Sequence, residues 1–276
     1  MDDDVLLGPN KEQKVIGVTG AKGTLGRLFC QHLTDCNVVF SDFKGDIRQQ
    51  KDIESWVGGE PITHIVHFAA VVPVDVVNHN PVEAYDTNVS GTVNLLKTLQ
   101  KKNIDSWLFY ASSSHVYAAS DKAITEEALT MPRNVYGRTK LAGEQACLDV
   151  AGASKHLKVC IGRIFSFYHE SQVGPYLFPT IKKRLAEAKD GDDFELRGAD
   201  SIRDFLRAEE VVDWIFKLWE KNAIGVFNIA SGIPVKIRDF VQQMTDKKIN
   251  IVAADEFSDC LLADISKLKG FFNVAK

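Results

Sequence analysis

Three observations point to an α/β protein doubly wound around a parallel sheet. Short apolar runs alternate with helical patterns from residue 14 to residue 165. A glycine-rich turn sits between the first apolar run and the first helix. The chain has 276 residues, 45% of them hydrophobic, enough for one large core with a smaller appended lobe.

The run KVIGVTG, residues 14 to 20, is rich in valine and isoleucine and reads as a buried parallel strand. The turn and amphipathic helix TGAKGTLGRLFCQHL follow at once, with Gly20, Gly23 and Gly26 spaced G-x-x-G-x-x-G. Gly20 permits a tight turn, Gly23 lets a pyrophosphate approach the backbone, and Gly26 lets the helix pack against the strand. Backbone amides and the positive helix end then converge on one spot, which suits an anion. A plain strand-to-helix turn is the alternative reading. The second strand, 37 to 42, closes with NVVFSD. A helix near 50 to 57, a strand 64 to 70, a helix near 82 to 101, a strand 106 to 113, a helix 133 to 151 and a strand 157 to 165 continue the alternation. Pro132 and Gly152 punctuate the two ends of the helix 133 to 151. After Arg163, SFYHESQVGPYLFPT carries Gly174, Pro175 and Pro179 and breaks the regular order.

Chemistry enters at NVYGRTKLAGE. Tyr136 and Lys140 stand four residues apart, on one face of a helix. An ammonium beside a phenol favours the phenolate, so the tyrosine is expected to be drawn toward neutrality and to exchange a proton with a substrate hydroxyl or ketone. An interfacial Tyr beside a solvated Lys is the plain alternative. Asp42 lies 22 residues beyond Gly20, where a carboxylate meets adenosine ribose hydroxyls and repels a 2′-phosphate. The expected cofactor is therefore NAD, with NADP left open by Lys44 two residues on.

A net charge of −4 with both signs interspersed forms no basic stripe and argues against nucleic acid as a partner. Cys30, Cys36, Cys147, Cys160 and Cys260 make no C-x-x-C pair and no cluster with histidines. They are expected to be reduced thiols of a cytoplasmic protein, and no metal site is expected. The acidic start MDDDVLLGPNKEQK lacks a signal-peptide pattern, and no apolar run approaches the roughly 18 residues of a membrane span. The expectation is a soluble chain, neither exported nor membrane-spanning.

Taken together, these motifs resemble those of the extended short-chain dehydrogenase/reductase family, which comprises nucleotide-sugar epimerases, dehydratases and reductases. TGAKGTLG resembles the family's cofactor loop, HFAA (His67 to Ala70) its third-strand segment, and NVSGTVNLL (Asn88 to Leu96) its following helix. YASSSHVY resembles its catalytic serine strand and YGRTK its Tyr-Lys pair. GRIF with Arg163, RDFLRAEEVVD with Arg203 and Asp204, and FNIASG with Asn228 match later landmarks, so the resemblance runs from about residue 14 to residue 232. It implies a Rossmann dinucleotide-binding domain, 1–165 plus 201–232, and a smaller substrate-binding lobe, 166–200 plus 233–276. It implies that Gly20, Gly23, Thr24, Leu25, Gly26, Phe68, Ala69, Ala70 and Asn88 hold the cofactor together with Asp42, Tyr136 and Lys140. Asp46 and Ile47 resemble the family's pair beside the adenine, a turn Asp before a helix being the other reading of Asp46. The helices Asn88 to Leu99 and Tyr136 to Cys147 resemble those through which family members dimerise, which implies a homodimer.

Carried over by position, the catalytic serine is Ser113, three residues before Val116, with Ser114 as the competing neighbour. A serine satisfying backbone at a strand end is the plain alternative for both. The implied substrate contacts are Ser113, Ser114, Ser166 and Arg203. Arg203 reads either as a diphosphate ligand or as the structural partner of Asp204 or a neighbouring acid. The chain departs from the family pattern at Ala118, where glycine is usual, and at Ser166, where asparagine is common. It also has SFYHE in place of Tyr-Gly-Pro and only 44 residues after Gly232. Dehydratases of the family place Asp-Glu directly after the catalytic hydroxyl; this chain has Ser114-His115, which disfavours dehydration. The expected reaction is hydride transfer at C4 of a nucleotide-activated sugar, as 4-epimerisation or reduction of a 4-keto group. A non-catalytic NAD(P)-binding regulatory or sensor protein is the alternative.

Overall fold

The alternating pattern builds one parallel sheet and, beside it, a smaller one. The computed structural model describes residues 15–273. The acidic start and Lys14, expected to open the first strand, lie outside the described residues. In chain order the strands are β1 (Val15–Thr19), β2 (Phe40–Asp42), β3 (Ile62–His67), β4 (Ser106–Ser113), β5 (Leu157–Ile164), β6 (Ser166–Tyr168), β7 (Asp193–Leu196), β8 (Ile202–Arg207), β9 (Gly225–Ile229), β10 (Pro234–Lys236), β11 (Asn250–Ala253) and β12 (Cys260–Leu261). The helices are α1 (Thr24–Asp35), α2 (Gln50–Gly59), α3 (Val74–His79), α4 (Pro81–Tyr85), α5 (Gly91–Lys102), α6 (Val135–Ala153), α7 (Leu177–Glu187), α8 (Ala208–Glu220), α9 (Ile237–Gln243) and α10 (Ser266–Asn273).

The large sheet runs β2-β1-β3-β4-β5-β9, with every neighbouring pair parallel. Its strands are apolar on both faces because helices cover both. On one face α1 and α8 pack Phe29, Leu33, Val211 and Ile215 into the sheet; on the other α2, α5 and α6 bring Ile53, Val57, Leu95 and Cys147. This is the expected doubly wound Rossmann architecture. Because β2 and β3 flank β1 on opposite sides, a crevice opens at the carboxyl ends of β1 and β3.

Two boundaries differ from the sequence pattern for local reasons. The strand expected over 64 to 70 ends at His67: after a last backbone bond from Phe68 N–H to the Thr19 carbonyl (3.1 Å), Ala69 N–H turns to the side chain, Thr19 Oγ1 (3.2 Å). The helix expected near 82 to 101 is α4 and α5 joined by a π-helical turn, Asp86–Ser90.

In the small sheet β8 lies between β10 and β12 and also pairs with β6. A separate parallel pair, β7 and β11, closes a satellite core of Ile181, Leu185, Phe194, Ile237 and Val241. Two segments sit differently from the domain division drawn from sequence. Residues 202–207 pair inside the small sheet, and α10 packs Leu268 and Phe272 with the large sheet's core. A strap over Asp259–Asp264 crosses the lobe: Cys260 pairs with Ile202, and backbone bonds tie Ser120 and Ile124 to Cys260 and Leu262.

Candidate active site

The glycine turn forms a cradle whose space is taken by backbone. Gly20 has φ +70°, and a Cβ there would meet Ala69 N at 2.6 Å; one on Gly26 would meet the Gly20 carbonyl at 2.2 Å. Only glycine fits either place. Helix α1 begins after Gly23 with no side-chain cap, so the N–H groups of Thr24, Leu25 and Gly26 have no intrahelical partner. They border a cleft of about 470 Å³ together with Phe68, Ala69 and Ala70. Free amides and a positive helix end in a glycine-lined recess fit the pyrophosphate of a dinucleotide.

Across this cleft stand Ser113, Ser114, Tyr136, Lys140 and Ser166. Their positions follow from close helix-to-strand contact. Asn134 caps α6 by accepting from Gly137 N–H (2.7 Å), and Cβ atoms on Gly137 and Gly143 would strike the His115 carbonyl and the Tyr110 hydroxyl at 2.2 and 2.1 Å. The two glycines therefore let α6 lie directly on the end of β4. Tyr136 then reaches Ser113, whose hydroxyl bonds the phenol and accepts from His115 N–H (3.2 Å). Lys140 is 3% exposed, with Nζ 4.6 Å from the centre of the Tyr110 ring.

Electrostatics differ from the expectation at Tyr136. Burial pushes its phenol well above the usual range, and the Ser113 bond pulls only part of that back. Burial also lowers Lys140 to about 8, with Cys147 and Glu144 opposing. The i,i+4 spacing gives adjacency but says nothing of depth, and here depth decides the sign.

Other expected residues lie outside the cleft. Asp42 ends β2, half-buried, 3.6 Å from Lys44. Asp46 grips Arg48 through contacts of 2.7 to 3.1 Å and stands just before α2, and this grip holds its carboxyl below the usual range. Ile47 is buried in the core against Gly91. Asn88, buried in the π-helical turn, accepts from Val71 N–H (2.7 Å) and donates to the Val71 carbonyl and Thr139 Oγ1, clamping the loop after β3 to α6. Arg203 pairs with Asp259 at 2.7 Å, the neighbouring-acid reading, while Asp204 accepts from Ser231 and Gly232 N–H.

Three further residues support the site. His67 bridges Thr19 Oγ1 (2.6 Å) and Thr92 Oγ1 (3.1 Å), and burial lowers its pKa to about 3, so it is neutral. Thr92 donates to the Asn88 carbonyl, which leaves its oxygen to accept from Nε2–H; Nδ1 then accepts from Thr19. Glu144, one turn beyond Lys140 and fully buried, takes Arg163 in a forked pair (2.8 and 3.1 Å) and the Ser112 hydroxyl. The i,i+4 spacing from Lys140 was the available signal for Glu144. Gln172 lines the cleft from the irregular segment after β6, a stretch without periodicity.

Known proteins share this arrangement of elements. The chain is 29% identical to GDP-6-deoxy-D-mannose reductase of Pseudomonas aeruginosa over 189 residues, covering 66% of this chain and 62% of that protein. It is 26% identical to UDP-glucose 4-epimerase 2 of Oryza sativa subsp. japonica over 233 residues, covering 76% and 57%. The chain thus spans less than two thirds of either relative's length. Among solved structures, RMD from Pseudomonas aeruginosa complexed with NADPH superposes with a TM-score of 0.83 at 23% identity, covering 94% of this chain and 90% of that one. The UDP-glucose 4-epimerase of Thermus thermophilus complexed with NAD gives 0.82 at 19% identity, covering 94% and 93%. These two likenesses are of fold. The family model for GDP-mannose 4,6 dehydratase matches residues 10–264, and the chain belongs to that family, within the extended short-chain dehydrogenase/reductases.

Proposed function

We propose that this chain is an NAD(P)-dependent oxidoreductase or epimerase acting at C4 of a nucleotide-activated sugar. The observation that carries the reading is the Ser113, Tyr136 and Lys140 set at the end of β4, facing the glycine cradle across one cleft. The relatives named as a GDP-6-deoxy-D-mannose reductase and a UDP-glucose 4-epimerase support it. A bound nicotinamide supplies the hydride donor or acceptor. Tyr136 as the phenol gives its proton to the substrate oxygen when a ketone is reduced, and as the phenolate takes the hydroxyl proton when an alcohol is oxidised; burial favours the phenol in the cofactor-free protein. Ser113 offers its hydroxyl to the same oxygen, and Lys140 donates to the cofactor ribose. The amides of Thr24 to Gly26 hold the pyrophosphate, Phe68 to Ala70 form the wall beside it, and Asp42 takes the adenosine ribose hydroxyls, which favours NAD over NADP. Asn88 acts through Val71 and Thr139.

Ser114 and Ser166 face the substrate, and Arg203, held by Asp259, belongs to the scaffold in this reading. Dehydration is not proposed: Ser114 and His115 follow Ser113, and Asp75 is the one carboxylate among the described residues lining the cleft. The dinucleotide domain in this reading is 1–165 plus 201–232 and the substrate lobe 166–200 plus 233–276, with β8 lent to the lobe's sheet and α10 packed back on the dinucleotide domain's core. Exposed Val82, Tyr85, Val93 and Leu148, on and around α4 to α6, favour a homodimer, to be checked by light scattering. All five thiols are free, which suits a cytoplasmic location. No helix among the described residues is long and apolar enough to cross a membrane.

The test follows the absorbance of reduced cofactor with 4-keto sugar nucleotides. A reductase consumes one NAD(P)H per product; an epimerase interconverts C4 epimers without net consumption. Tyr136→Phe abolishes turnover and leaves cofactor binding intact. Cofactor binding with no turnover of any UDP-, GDP- or dTDP-sugar overturns the proposal in favour of a regulatory protein.

A further inference from the structure

The segment after β6 carries a polar group that the protein itself does not satisfy. Gln172 is 6% exposed, and its Oε1 is sealed from solvent without a hydrogen-bond partner. Among the described residues, it is the one such side-chain atom whose residue borders the cleft. Buried amides normally have partners, so an unmatched one on a residue bordering a cleft points to a ligand that completes the bonding.

The loop bearing Gln172 is pinned to the nucleotide-binding side. Arg27, the residue after Gly26, donates to Ser171 Oγ (3.2 Å) and to the Ser171 carbonyl (3.4 Å). His169 faces Glu209 of α8 at 3.4 Å, and its Nδ1 accepts from Ser171 N–H (3.0 Å). Gln172 N–H donates to the His169 carbonyl (3.0 Å), which fixes its backbone at the border of the cleft. The loop is thereby held near the first turn of α1, and Gln172 borders the same cleft as the amides suited to a pyrophosphate and as Tyr136 and Lys140. A dinucleotide laid across this stretch places its nicotinamide half there. A pyrophosphate presents acceptors only, and an unmatched Oε1 needs a donor. A primary carboxamide offers one donor and one acceptor side by side, the complement of Gln172's own amide.

Resting on the cofactor reading above, we propose that Gln172 is a cofactor-contact residue that recognises the nicotinamide carboxamide by reciprocal N–H···O=C bonds. The Arg27–Ser171 and His169–Glu209 contacts position it.

The experiment titrates the parent protein, Gln172→Leu and Gln172→Glu with NAD, ADP-ribose and 3-acetylpyridine adenine dinucleotide, which lacks the amide N–H. The readout is the dissociation constant. Losing two modest hydrogen bonds is expected to weaken NAD by roughly tenfold in Gln172→Leu while ADP-ribose binds as before. The parent prefers NAD over the acetylpyridine analogue, and this preference disappears in Gln172→Leu. Gln172→Glu, close in shape, keeps an acceptor and loses the donor, so its loss is smaller. Equal NAD affinity in parent and both variants overturns the proposal. So does an ADP-ribose loss as large as the NAD loss, which places the contact on the diphosphate. If the parent binds neither NAD nor NADP, the cofactor reading itself falls, a result distinct from either.

Discussion

Lys140 is a buried cation with no ion-pair partner among the described residues, and replacing it with methionine should stabilise the cofactor-free protein. Its pKa falls from 10.5 to about 8, mainly through burial. A depression of that size costs the folded state on the order of 3 kcal/mol at neutral pH, where the side chain must be carried inside as an ammonium. Methionine removes the charge but forfeits the attraction to the Tyr110 ring, about 1 to 2 kcal/mol when desolvated, and its thioether returns part of that against the same ring. The net gain is about 2 kcal/mol, or roughly 4 °C in Tm for a chain of this length. The pH dependence carries the sign. The folded pKa is depressed, so the parent's deficit is absent above pH 10.5 and fully developed below about pH 8. Urea unfolding of parent and Lys140→Met at several pH values between 7 and 10.5 reads this directly. The variant's advantage should be largest at pH 7 and shrink as pH rises. A variant less stable than the parent at pH 7, or an advantage that does not change with pH, refutes the reasoning.

The parent should bind NAD(H) more tightly than NADP(H), and Asp42→Ala should narrow the gap in fluorescence titrations. Tighter NADP(H) binding by the parent would move attention to Lys44. Ser113→Ala should lower turnover on the order of 10², the scale of one lost hydrogen bond to developing charge, while Ser114→Ala costs much less; equal losses would reject that ranking. Glu144→Ala should destabilise by about 3 to 5 kcal/mol because Arg163 is left buried without its partner. Replacing both residues by methionine should recover most of that loss in denaturant unfolding. A double variant no better than the single one would show that packing outweighs charge.

The parts legible in the sequence are those fixed by local spacing. The run into Gly20, Gly23 and Gly26 forms β1, the turn and α1, and the Tyr136–Lys140 spacing puts both side chains into the same cleft as Ser113 and Ser114. What spacing cannot carry is depth. The direction of the Tyr136 shift depends on how far two glycines sink α6 onto β4, a consequence of packing across elements. Partners distant in sequence are equally silent. Arg203 meets Asp259 across 56 residues, and Asp259 stands in a stretch with no motif; His67 is set by Thr19 and Thr92, 48 and 25 residues away. The small sheet escaped notice because β6, β10 and β12 have two or three residues each, too few for alternation to register.

The strap over Asp259–Asp264 gives the order of synthesis a structural meaning. Strands β1 to β5 are complete once residue 164 has left the ribosome, yet the loop beyond Ser113 and the turn 114–116 still lacks its backbone partners. Ser120 and Ile124 donate to Cys260 and Leu262, and Asp264 N–H returns a bond to Ile124. The glycine cradle and the β4–α6 wall can thus assemble early, while the loop 118–124 waits for a much later stretch of chain. A message cut short before residue 259 yields a protein that holds the glycine cradle and α6 but leaves β8 and the loop 118–124 with exposed, unpaired amides, the kind of edge that recruits other chains. Quality control that recognises such edges would read from this strap whether translation had run past it.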